Sequence, residues 1–550
     1  MRRFRWAAVV LAMAGISLMV VNAPTAHAAN RNILVHFTNN SDSPLTLAAV
    51  TLDGGCWTGD VAPPQKIAVD QSVDIASESC GVFTGTEFHV RYKLDIGGTT
   101  LEMHYSNPET GSDTLDNTAP QGYAFQSFGV IEDHATTFGC NSATCDGIPD
   151  DWKKNGITIT PAGGYSPQFI DLPKMGVSLD RPNVLVQLDW MDDATHHQKL
   201  SQAAIDTVIR AFDQDPVTYH GATRPGITLI VDEGKDSTIT PGVTWGTLAR
   251  AKEIPWTQDL LTGSRSSYSF TNFYTLLKNR FVPTGRLPIF HYAVAGAEIA
   301  SGCGGTGSPC TKKCYKGDAT SGVTTGDKLG FMVTLGDWTG CTGSPDEQTG
   351  TFMHELGHTL GLDHSGGEGN ANSVNYKPNY PSVMNYLFQS LGVPRGGTQV
   401  FDYSRDAYPK LDETALTEAG GVNLGANPSG SGTGHVCPAP GGGLLKYTQQ
   451  ALSPVDWNCD TITPNGGPAP GFDANGDGAQ GALNGTATSD WNRIVFKTGG
   501  VGAGADTSGV TIPSSGESGP VDEMTYEMSQ LTRALPVAAK LTYTGAASGD

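Results

Sequence analysis

Residues 354–364 read HELGHTLGLDH, three histidines and one glutamate in eleven positions. On a helix His354 and His358 project from one face, one turn apart. Two imidazoles at that spacing chelate one ion with little backbone adjustment. Glu355 is rotated about 100° from His354, so it misses the ligand set and reaches a water beside the metal. That is where a general base acts. Leu356, Leu360 and Leu362 supply apolar packing. Gly361 can take the left-handed backbone that ends a helix, which lets His364 approach from another side. Three neutral histidines leave zinc at formal +2 with an open position for water. A helix that merely carries histidines accounts for the first pair, but not for the glycine and third histidine at their offsets.

PSVMNY (381–386) follows downstream. Together, HELGHTLGLDH and SVMNY resemble the metzincin clan of zinc metallopeptidases, whose consensus is H-E-x-x-H-x-x-G-x-x-H followed by a Met-turn. The resemblance implies zinc ligation by His354, His358 and His364, with Glu355 as general base and Met384 as the floor beneath the metal. Tyr386 resembles the tyrosine of astacin-like and serralysin-like members, which implies a residue that ligates zinc and swings to stabilise the oxyanion. Ser365-Gly366-Gly367 is neither the astacin nor the serralysin continuation, so the subfamily stays open. Glycine-rich calcium nonapeptides and a clear cysteine switch are both missing. The clan resemblance covers about 181–400.

Around the motif the pattern is mixed. RPNVLVQLDW (181–190), GITLIVD (226–232), LPIFHYAV (287–294) and KLGFMVTLG (328–336) read as strands. LSQAAIDTVIRAF (200–212) and SFTNFYTLLKNRF (269–281) read as helices, with Ser201 as a cap for the first. Nothing in 301–325, rich in Gly, Cys and Thr, shows a function.

Upstream, residues 30–135 alternate as strands separated by turn residues, an all-β sandwich. SESCGVFTGTEFHVRY and NNSDSPLTLAAVTLDGGCW resemble the aegerolysin-like β-sandwich family, which implies recognition of a membrane lipid or cell surface. A domain that only shields or chaperones its neighbour is the alternative. In CNSATCDGIPDDWKKNGI (140–157), Asp146, Asp150 and Asp151 could offer hard oxygen ligands to calcium, but an Asx-rich turn leading into a short helix is the preferred reading. Downstream, Asp473, Asn475 and Asp477 have the spacing of a calcium loop. Its twelfth position is Asn484 rather than glutamate, so Asp490 is the candidate for closure.

The chain has 550 residues, 38% of them hydrophobic, enough for two or three cored units. Seventy glycines and only 16% charged residues favour loop-rich, β-rich architecture. A net charge of −21 without a basic block argues against nucleic acid. MRRFRW, the apolar run after it and Ala26-His27-Ala28 form a secretory signal with its cleavage site. Ten cysteines fit an oxidising compartment. They group as Cys56 and Cys80; Cys140 and Cys145; Cys303, Cys310, Cys314 and Cys341; Cys437 and Cys459, and pairing is expected within groups.

The expected organisation is multidomain. A signal peptide (1–28) precedes a β-sandwich accessory domain (29–137) and an Asp/Gly/Pro-rich linker (138–180). An α+β zincin, metzincin-like catalytic domain (181–425) comes next, then a Gly-rich region with the candidate calcium loop (426–510) and a flexible, loop-like tail (511–550). The expected function is that of a secreted zinc endopeptidase acting on protein or peptide. The rival expectation is a lipid- or surface-binding, toxin-like protein in which the sandwich dominates.

Overall fold

The computed structural model describes residues 31–529 except 60, 82–83, 195, 241, 257–258, 265–266, 300–319, 368–373, 439–443, 450–453, 459–471, 504, 506–517, 520–522 and 526–527. The expected signal peptide, Cys303, Cys310, Cys314 and Cys459 lie outside the described residues, as does most of 511–550. The chain is β-rich, with several sheets and four α-helices among the described residues, and it becomes loop-rich towards the C-terminus.

Ten strands come first: β1 (Asn32–Asn40), β2 (Leu45–Gly54), β3 (Cys56–Trp57), β4 (Lys66–Ile67), β5 (Ser72–Glu78), β6 (Thr86–Leu94), β7 (Thr100–Asn107), β8 (Thr114–Thr118), β9 (Tyr123–Val130) and β10 (Asp133–Cys140). They form two five-stranded sheets, ordered β3-β5-β1-β10-β9 and β4-β2-β6-β7-β8. Side chains alternate across each strand, so Ile33, Val35 and Phe37 of β1 face Phe88, Val90 and Tyr92 of β6 in one core. Disulfides join Cys56 to Cys80 and Cys140 to Cys145. Lys497, from far downstream, donates to Asp42 and to the Cys145 carbonyl, both at 2.7 Å, and holds the sandwich against the rest of the chain.

The stretch after the sandwich, read as a linker, forms α1 (Asp150–Asn155), β11 (Ile157–Ile159) and β12 (Gln168–Ile170). Asp146 is fully buried and pairs with Lys153 at 2.8 Å. It also accepts from the backbone N–H and side-chain amide of Asn183. These bonds tie it into the protein interior, and its Oδ1 accepts from the Ile148 N–H, in keeping with the turn reading rather than a calcium ligand.

The larger unit is built on β13 (Asn183–Asp192), α2 (Gln202–Asp213), β14 (Thr228–Asp232), α3 (Thr271–Leu276), β15 (Phe290–Gly296), β16 (Gly322–Thr324), β17 (Gly330–Thr334) and α4 (Pro345–Thr359). The sheet order is β14-β13-β15-β17-β16, with Glu253–Pro255 also paired to β13. Neighbours run parallel except β16, which pairs antiparallel with β17. Both faces are covered, so the strands read as nearly continuous apolar runs. Val184, Val186 and Leu188 of β13 point to the side of α2 and α4. Leu185 and Met191 point to the opposite side, where α3 packs with Ile148, Ile159 and Ile170. No helix among the described residues is long and apolar enough to cross a membrane.

Candidate metal centre

Helix α4 carries the first two histidines and starts from a complete capping box. The Ser344 hydroxyl accepts from the Glu347 N–H, and the Glu347 carboxylate accepts from the Ser344 N–H. Pro345 at the first helical position removes a donor that has no helical partner. The helix is buried from Glu347 to Thr359. Gln348 accepts from the backbone N–H and hydroxyl of Ser201, the residue that caps α2, and so fixes one helix against the other.

Gly361 stands at φ 91°, and the chain reverses there. The turn brings His364 back over the helix. The three Nε2 atoms converge at 3.1 Å (His354 to His364), 3.1 Å (His358 to His354) and 2.9 Å (His358 to His364). His354 Nδ1 donates to the Val383 carbonyl at 2.8 Å, and His358 Nδ1 to the Leu362 carbonyl at 2.9 Å. A carbonyl only accepts, so each of these Nδ1 atoms carries the proton and each Nε2 presents a lone pair. Burial holds His358 well below the usual histidine range, so its imidazole is neutral.

Glu523 completes the group. Its carboxylate lies 3.2 Å from His354 Nε2, 3.5 Å from His358 Nε2 and 3.4 Å from His364 Nε2. Acceptors therefore face one another in a space closed to water, an arrangement that repels until a cation neutralises it. His354, His358, His364 and Glu523 could together hold a metal ion. The separations between the nitrogens are close to the edge, about 3.3 Å, of a tetrahedron with metal–nitrogen bonds of about 2.0–2.1 Å. The donor set fits a small divalent cation.

Glu355 is wholly buried beside this cluster. Its Oε2 accepts from the Thr324 hydroxyl at 2.9 Å, and its Oε1 finds no hydrogen-bond partner among the described residues. Burial first, and then the charge on Glu523, push its carboxyl well above the ordinary range. Edge strand β16 is shaped around it. A Cβ on Gly322 would lie 2.8 Å from both Cγ and Oε1 of Glu355, so only glycine fits there.

Met384 and Tyr386 sit under the cluster, both buried. A Cβ on Gly357 would fall 2.4 Å from the Met384 sulfur, so this mid-helix glycine gives the methionine its place. The Tyr386 ring lies 4.8 Å from that of His364, and its hydroxyl donates to Glu523 at 3.4 Å. Asp363 accepts from Arg493 at 2.7 Å and from the Ser365 and Gly367 N–H groups, fixing the chain beyond His364. Asp490 is buried among Tyr380, Ser382, Ser404 and Arg493. It is thus committed to the segment around Met384, which corrects its reading as closure of the acidic loop. In that loop Asp473 accepts from the Gly476, Asp477 and Gly478 N–H groups, and Asn475 donates to Asp477 at 3.0 Å.

Sequence reasoning located all three histidines and Glu355 but missed Glu523 and β16. Glu523 stands alone in PVDEMTY, where no local spacing marks a ligand. β16 lies within the Gly- and Thr-rich stretch 301–325, whose short Val-Thr run gives little strand signal.

No family model and no curated protein matches this chain. Among solved structures, one titled as the lipid binding protein Nakanori aligns with 20% of this chain and 69% of its own. The identity is 13% and the TM-score 0.16, a likeness too slight to carry an argument.

Proposed function

We propose that this chain is a secreted zinc-dependent endopeptidase of metzincin type, working at His354, His358 and His364 with Glu355 as general base. The observation that carries this reading is the convergence of three Nε2 atoms, two of them with lone pairs set by their Nδ1 bonds, beside a buried glutamate with one oxygen unpaired among the described residues. Zinc at such a site supplies Lewis acidity, polarising a carbonyl and acidifying water. Glu355 takes a proton from water through Oε1 and delivers it to the leaving amine. Its raised proton affinity suits that exchange. The Tyr386 hydroxyl donates to the developing oxyanion. Antiparallel edge strand β16 lies against Glu355, where an extended substrate adds as a further strand. The basic and apolar start with Ala26-His27-Ala28, and the two disulfides, support export.

The test is a mixed peptide library incubated with the zinc-loaded chain, with and without a chelator, and read by mass spectrometry. Cleavage that the chelator abolishes is expected. Glu355→Gln should keep its zinc and lose at least about a hundredfold in rate. Retained turnover in that variant would sink the mechanism.

The acidic loop at Asp473, Asn475 and Asp477 is proposed to take calcium, stiffening the loop-rich C-terminal region. One observation favours a second role for the sandwich. Phe128 (71% exposed) and Val130 (64%) stand out on β9, an edge strand, as an apolar contact for a lipid or cell surface. A chain lacking 30–135 that cuts soluble protein normally but no longer binds liposomes would make the sandwich a targeting module.

A further inference from the structure

We propose that Glu523–Thr525 is an intramolecular inhibitor, a short strand of the chain's own C-terminal region seated where substrate would lie. The inference rests on the peptidase reading and concerns how that site is regulated.

Two independent contacts place the segment there. The first is at the metal-ligand cluster. The Glu523 carboxylate stands within 3.5 Å of all three Nε2 atoms and accepts from Tyr386. It covers the side of the triad that must stay open to water. The second is along the sheet edge. The Ser321 N–H donates to the Met524 carbonyl at 2.8 Å, and Thr320 bridges Thr525 in antiparallel sense. These two residues lead directly into β16. The segment therefore adds to the edge by main-chain bonds, as an extended peptide would, while a side-chain oxygen stands in for a scissile carbonyl.

Anchors on either side hold it in place. Ser518–Gly519 pairs with Ser267–Ser269. Met524 is buried in the same core as Leu356 and Met384. The Ser529 N–H donates to the Thr525 carbonyl at 2.9 Å. Displacing Glu523 reopens the water position, and no bond need be made or broken.

The test compares zinc-loaded wild type and Glu523→Ala, both as the full chain. Acetohydroxamate, a small metal-directed probe, is titrated by calorimetry. A site that is mostly closed should bind it at least about tenfold more weakly in wild type than in the variant. With cobalt in place of zinc, the visible spectrum should change when the carboxylate is removed. Equal hydroxamate affinity together with identical cobalt spectra overturns the inhibitor, whatever the peptidase rate. Peptide-library cleavage is measured in parallel and should rise at least about tenfold in the variant. If hydroxamate binding follows the expected order and neither chain cuts, the peptidase reading falls and the capping contact stands. If circular dichroism shows that Glu523→Ala does not fold, Glu523→Gln carries the same comparison, keeping the volume and removing the charge.

Discussion

Among the described residues, two groups of histidines and carboxylates bring their ligand atoms within 4.8 Å of one another, one inside α4 and its surroundings, the other on the sandwich. On the sandwich, His89 of β6 and His104 of β7 are cross-strand partners with rings stacked 3.9 Å apart. His104 has its own acid in Glu87 at 2.8 Å, and His89 lies 3.7 Å from Asp53. Both side chains are partly in water, 22% and 38% exposed. Each imidazole can therefore find a donor or acceptor alone. The inner histidines cannot. Two of their Nδ1 protons are held by backbone carbonyls, and water is shut out. Proximity of ligand atoms is common to both groups. What separates them is burial and, for His354 and His358, fixed tautomers, which aim lone pairs at one shared point where a cation fits.

The largest expected effect would break this comparison outright. His358→Ala should lose bound zinc on dialysis, measured by elemental analysis. His104→Ala should keep the wild-type zinc content, with stability within about 0.5 kcal/mol. Equal retention by both variants would show that tautomer and burial do not decide the matter. Next comes the packing beneath the inner group. Gly357→Ala drives a methyl into Met384 and should destabilise by roughly 1–3 kcal/mol in urea unfolding, with weaker zinc retention. A matching Gly→Ala change on the exposed sandwich face has no such neighbour, so a neutral result for Gly357 would remove the packed floor from the account. The smallest effect concerns the helix that presents the ligands. Ser344→Ala removes half of the capping box and should cost about 1 kcal/mol in unfolding free energy while leaving zinc stoichiometry unchanged. A change in stoichiometry would show that the start of the helix sets the site more directly than its turn at Gly361.

Legibility followed distance along the chain. His354, His358, Glu355, Gly361 and His364 fall in eleven consecutive positions, where one helical turn and one reversal set the geometry. The sandwich strands showed through their alternation, because one face of each sheet is buried and the period is 2. Strands β13 and β15 showed as apolar runs because both of their faces are covered. Asp146 was harder to read. An aspartate in a turn looks the same whether it faces calcium, water or, as here, a buried lysine. Asp490 was hidden for the same reason. Its partners Tyr380, Ser382 and Ser404 lie about a hundred residues away and leave no local pattern.

The sequence by itself determined which side chains share a face of α4 and where the chain turns back, since both depend on backbone geometry within a few residues. Tertiary structure alone decided three further things. Val383, brought up from the segment before Met384, sets the tautomer of His354. Thr324 and Gly322 of the edge strand hold Glu355 with one oxygen unpaired among the described residues. Glu523 crosses from the C-terminal region to face the triad. The physical reason is common to all three. Protonation state and cation affinity depend on the excluded water and on charges within a few ångströms, and those neighbours come from segments that only folding brings together.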